Sequence, residues 1–112
     1  MARLSSGDIL RVNNARFLVV SCCGSDAAAC PVIEEASTHH RSDIRLSWSD
    51  SMMLGLRGEA TIRCAPIIVR RADRQERTGR VDRAAMAAIR ARVQREMEIQ
   101  ARENSLIRSD IL

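Results

Sequence analysis

Cutting a phosphodiester takes a group to accept the ribose 2′ proton, another to protonate the departing 5′ oxygen, and a cation over the phosphate as charge builds on it. Arg16 is the first choice for the cation, and Glu34, Glu35, His39 and His40 are proton carriers gathered in one later stretch. Histidine suits such work because its ordinary pKa lies at about 6.5. Arg11, His40, Arg70 and Arg71 are candidates to line the same groove as RNA contacts, the arginines because a guanidinium fork meets a phosphate at two points. Each also has a plainer reading. Histidines in a polar loop beside Arg41 are commonly solvated, and single arginines are commonly surface charge.

Other chemistry is weakly signalled. Cys22, Cys23, Cys30 and Cys64 include no C-x-x-C pair, and His39 and His40 sit together in a polar loop. That is poor spacing for zinc. Nothing nearby lowers one thiol's pKa enough to mark a nucleophile. Buried or incidental reduced thiols are the simpler account, and neither a metal nor another cofactor is called for.

The elements that must position these residues change character near the middle of the chain. Asp8–Val12 and Arg16–Ser21 read as strands joined at Asn13-Asn14, with a further turn at Gly24-Ser25-Asp26. Ala29–Ile33 is a short third strand in which Pro31 implies an edge or a bulge. Ser37–Ser42 is a polar loop. Ile44, Leu46 and Trp48 alternate with Arg45 and Ser47, the period of a half-buried strand. Met52–Leu56 is ambiguous between a turn and an apolar anchor. Ala60–Cys64 and Ile67–Arg71 are two last strands broken at Ala65-Pro66, and 72–80 is a charged connector. A helix over about 82–103 follows, with Asp82 as N-cap, Val81 stapling onto Met86, and an apolar stripe of Met86, Ile89, Val93 and Met97. Arg90 and Arg95 lie off that stripe and are expected to be dispensable for stability and for RNA cutting.

Length and composition bound the function. At 112 residues the chain is one domain. Its only aromatics are Phe17 and Trp48, so platforms for stacking bases are not expected. All 18 basic residues are arginine, against 14 acids, giving a formal charge of +4 that falls mostly in the second half. Such a balance suits a phosphate backbone or an acidic protein, although an arginine-rich helix serves equally as a solvated face. No run is apolar enough to span a membrane or to act as a secretory signal, which makes a cytoplasmic protein the expectation.

The order of these pieces resembles the MazF/PemK-type toxins of toxin–antitoxin systems. Gly7-Asp8-Ile9-Leu10-Arg11-Val12 is similar to their opening strand and Arg16–Ser21 to their Arg-Pro-x-Leu-Val-Val-Ser strand. Cys30-Pro31-Val32-Ile33, Leu56–Cys64 and Thr78-Gly79-Arg80-Val81 are similar to later motifs in the same order. The resemblance implies a mainly β fold, an SH3-like barrel of five to seven strands over about 7–72, closed by the C-terminal helix. It also implies a homodimer that cuts single-stranded RNA without metal and is silenced by an antitoxin with an acidic, disordered tail. The family's strand arginine falls on Arg16. Its catalytic Thr or Ser falls on Ile33 or is displaced to Ser37 or Thr38, and its Asp-Gln pair is Ala65-Pro66. The proline after its arginine is Phe17, and its later basic residue is Ile68. The leading expectation is an endoribonuclease toxin with Arg16, Glu34, Ser37, Thr38 and His39 as catalytic candidates. The alternative is an inactive binding module for nucleic acid or a protein partner.

Overall fold

A computed structural model of the chain describes residues 3–34, 38–56 and 59–111. In chain order the elements are β1 (Asp8–Val12), β2 (Ala15–Cys23), β3 (Asp26–Ile33), β4 (Asp43–Arg45), α1 (Trp48–Met53), β5 (Thr61–Arg63), β6 (Ile67–Val69), a 3-10 turn (Ala72–Arg74), β7 (Glu76–Arg80) and α2 (Arg83–Ile111).

Local turn chemistry builds the first half. Asn13 takes the left-handed conformation at φ 57°, which asparagine tolerates, and folds β1 onto β2 with Ile9 opposite Leu18 and Val12 opposite Ala15. Gly24, at φ 65°, does the same for β2 and β3. The free edge of β3 is then shared: β6 pairs with Ala27–Ala29, and β5 pairs with Val32 and Ile33. Pro31 lies where the partner on that edge changes, and Ala65-Pro66 takes up the shift in register between β5 and β6.

The SH3-like barrel is not formed, and this corrects the expected fold class. The strand order β4-β5-β3-β2-β1-β7, with β6 also on β3, is an open path that ends at β4 and β7. The segment 76–80, read from sequence as a connector, is the edge strand β7, antiparallel to β1 from Asp8 opposite Arg80 to Arg11 opposite Glu76. Closure would require β7 to meet β4. Instead α1 and its C-cap Leu54 stand between them, with Leu54 against Gly79, where a Cβ would meet its Cδ2 at 3.5 Å.

Alternation along the strands gives the sheet two apolar faces. Ile9, Leu18, Val20, Cys30, Val32 and Ile62 face α2, Leu46, Leu54 and Leu56, while Leu10, Val19, Ala27, Ala29 and Val69 form a smaller cluster behind with Ala72. Asp82 caps α2 as expected, accepting from the Ala85 amide at 2.7 Å, and Val81 and Met86 are buried in one cluster. Three expectations change. The stripe of Met86, Ile89 and Val93 continues through Glu96, which is 2% exposed, whereas Met97 is 55% exposed. Trp48 does not continue β4: Ser47 accepts from the Asp50 amide and starts α1, which leaves Trp48 59% exposed. The helix also runs past the expected end to Ile111, about 43 Å at 1.5 Å per residue.

Candidate functional site

Register alone assembles the site. Arg11 on β1 pairs with Arg16 on β2, and Arg16 with Val32 on β3, two positions before Glu34. By alternation these side chains extend the face that carries Ile9, Leu18 and Val32. Where the apolar core runs out, the same face becomes charged. Arg16 Nη1 donates to Glu34 Oε1, with both side chains partly buried. The Arg16 Nε is buried and has no partner among the described residues. Arg11 reaches Glu76 at 3.5 Å, both well exposed, so its charge is only lightly committed.

The loop that follows β3 is tied elsewhere. The Ser42 amide donates to His40 Nδ1 at 3.1 Å, Ser42 Oγ lies 2.6 Å from the same nitrogen, and the His40 amide donates to Asp43 Oδ2 at 2.9 Å. Arg63 clamps Asp43 from β5 at 2.9 and 3.2 Å and donates to the Thr38 carbonyl at 3.2 Å. Burial works to raise the Asp43 carboxyl, but the hydrogen bonds from Arg63 and the His40 amide outweigh it and hold it below its ordinary value. Thr38 and His39 are exposed, and neither side chain is hydrogen-bonded to Arg16 or Glu34, whose mutual bond is the side-chain link at this site among the described residues. Ser37 and Glu35 lie outside the described residues.

The structure therefore brings Arg11, Arg16 and Glu34 together and sends Arg70 and Arg71 to the other end of β3. Val69 pairs with Ala27, and the Arg71 amide donates to Asp26 at 3.0 Å. Six strand positions separate Asp26 from Val32, about 20 Å.

Sequence reasoning missed three clamps. Asp8, wholly buried, accepts from Arg80 at 3.0 Å, Arg77 at 3.3 Å and the Ser5 amide at 2.8 Å. Arg41 holds Glu96 at 2.9 Å through both Nε and Nη2, and Glu103 at 2.6 Å through Nη1. The third is the Arg63 and Asp43 pair. The available signal for the second was Glu96 itself, a carboxylate three positions after Val93 on the apolar stripe. Cys30 and Cys64 are buried free thiols, and their mutual hydrogen bond together with burial pushes Cys30 up. Among the described residues no three His, Cys, Asp or Glu side chains converge as a metal-binding set, and no helix is long and apolar enough to cross a membrane.

No protein-family model matches the chain, and no curated protein matches it. With the sheet open as well, the MazF/PemK resemblance is not upheld. The family motifs were short strand and turn signatures, and such signatures recur wherever antiparallel hairpins precede a helix.

Proposed function

We propose that the chain binds single-stranded RNA and cuts its backbone at the Arg16 and Glu34 pair. The observation that supports this reading is a carboxylate and a guanidinium held together, both partly buried, where the apolar core of a sheet face runs out, with the lightly committed Arg11 beside them. Glu34 takes the proton of a ribose 2′ hydroxyl, O2′ attacks phosphorus, and the bond to O5′ breaks. The products are a 2′,3′-cyclic phosphate and a 5′ hydroxyl that gains a proton from water. Arg16 and Arg11 compensate the charge that builds on the phosphate oxygens.

A second reading, binding without cleavage, is favoured by one observation. Glu34 is already engaged by Arg16, and neither histidine is hydrogen-bonded to the pair. Incubating the folded protein with a long unstructured RNA in EDTA separates the two. Fragments ending in cyclic phosphate, lost on Glu34→Gln and on Arg16→Ala, support cutting. Intact RNA bound by a folded protein moves the assignment to the binding module.

A further inference from the structure

Beside α2, away from Arg16, two adjoining cavities share Arg90. One, of about 580 Å³, is lined by Arg80, Arg83 and Arg90 with Ser6, the carboxylate Asp82, which caps α2, and the apolar Val81, Met86 and Ala87. The other, of about 500 Å³, is lined by Val20, Ala28, Pro66, Ile68, Val93 and Met97. Together they form one groove with a cationic half and an apolar half. Its charges are not spent: Arg80 is committed to Asp8, but Arg90 donates only to the Ser6 hydroxyl, and Arg83 makes no ion pair among the described residues. Its apolar half is open, with Ile68 63% and Met97 55% exposed.

We infer that this groove is a second contact for single-stranded RNA, with a phosphate on Arg83 and Arg90 and the adjoining base against Ile68, Val93 and Met97. The chemistry follows from the two halves. A guanidinium fork matches phosphate geometry, and an aliphatic pocket takes the face of a base where no aromatic platform exists. Val20, in the lining of the groove, lies four positions along β2 from Arg16, about 13 Å, so an RNA strand held at the Arg16 and Glu34 pair would reach the groove around the outside of the buried Leu18. The inference rests on the RNA-binding part of the proposed function and not on cutting. Arg90, expected from sequence to be a bystander, becomes a binding residue.

The test uses the intact protein and a short fluorescein-labelled 2′-O-methyl RNA, which cannot be cut because the attacking hydroxyl is blocked. Affinity is read by anisotropy across a salt series. Arg83→Gln with Arg90→Gln should lower affinity about tenfold or more and reduce the salt slope by about 0.7, the value for one phosphate contact on a single strand. Met97→Glu should also weaken binding. The control, Arg95→Gln with Arg102→Gln, removes the same charge from the outward face of α2 and should leave the slope nearly unchanged. Equal losses in both double variants would reveal unspecific attraction and overturn the inference, as would undiminished binding by the Arg83 and Arg90 variant. Binding of polyglutamate through these arginines with no binding of RNA would overturn it in favour of an acidic protein partner. Groove-dependent RNA binding by a protein that leaves unmethylated RNA intact would sustain the inference while removing the proposed cutting.

Discussion

Arg41→Ala should destabilise the protein far more than the loss of an exposed arginine. Glu96 is 2% exposed, and Arg41 supplies its two shortest hydrogen bonds, leaving only Gln100 at 3.2 Å once the guanidinium is gone. Removing one partner of a buried pair costs about 3–5 kcal/mol because the other charge is stranded. Arg41 is itself 43% exposed, so water enters the gap it leaves and the expected loss falls to about 2–3 kcal/mol. In a domain of this size that lowers the melting temperature by roughly 10 °C. Urea denaturation of Arg41→Ala and of the double variant Arg41→Ala with Glu96→Leu measures it, since an apolar residue at 96 removes the stranded charge and should recover most of the loss. The hydrogen bonds from Arg41 hold the Glu96 carboxyl below its ordinary value, against the opposing effect of burial. A depressed carboxylate contributes stability above its unfolded pKa, about 4.3, and loses it as pH falls through the folded value. The gap between wild type and Arg41→Ala should therefore be full near neutrality and close below about pH 4. An Arg41→Ala loss under about 0.5 kcal/mol, the scale of an exposed pair, or a double variant no more stable than the single, would refute the clamp.

Three further outcomes are expected. Val93→Asp places a charge in the centre of the interface between α2 and the sheet and should cost about 2–4 kcal/mol, seen as aggregation or a lost unfolding transition; a normal melt would show that the helix does not hold the core. Gly7→Ala should cost about 1–2 kcal/mol, because Gly7 sits at φ +99° with the Val81 carbonyl 3.3 Å from any added Cβ, and more than Gly24→Ala, whose surroundings are open; equal urea midpoints would contradict this. Arg16→Ala should slow RNA cutting by about 10²-fold or more with binding to 2′-O-methyl RNA largely kept, and a parallel fall in both would reduce Arg16 to a binding residue.

What was legible in the sequence was local. Asn13-Asn14 and Gly24 fix hairpins through backbone conformations that few residues accept, and Asp82 caps α2 through a bond three residues away. The hairpin between β2 and β3 brings Arg16 towards the Glu34 end of β3, but counting from its turn sets Arg16 against Ile33, and it is the bulge between Val19 and Ser21 that moves its partner to Val32. The elements that stayed hidden depend on distant partners. Glu76-Arg77-Thr78-Gly79-Arg80 has no apolar alternation to mark it, and becomes a strand because β1 offers an unpaired edge and Asp8 offers a carboxylate to Arg77 and Arg80. Arg70 and Arg71 were assigned to the wrong neighbourhood of the sheet because the register of β6 shifts at Ala65-Pro66, a displacement that no residue type announces. The reading of Trp48 failed for a different reason. Ser47 and Asp50 carried a capping signal there, and a three-residue alternation was given more weight than it can bear.

Arginine use follows from the open sheet. A barrel has no edges, whereas this sheet ends at β4 and β7, and each end is fastened by a charged clamp: Asp43 on β4 by Arg63 of β5, and Asp8 on β1 by Arg77 and Arg80 of β7. Arg41 ties the loop before β4 to α2 in the same way. The carboxylates concerned are nearly or wholly buried; Asp43 and Glu96 are each gripped at two points by one guanidinium fork, where a lysine would give one, and Asp8 takes a single contact from each of two arginines. Four of the 18 arginines are spent on these clamps, so the formal charge of +4 cannot be read whole as affinity for an anion. What bears on function is the remainder. Arg83 and Arg90 line a groove that also holds Asp82 and form no ion pair among the described residues, and Arg11 stands beside Arg16 with an exposed glutamate opposite. Any polyanion that the chain binds has these uncommitted guanidiniums to meet, one set at the end of the sheet and one along the helix.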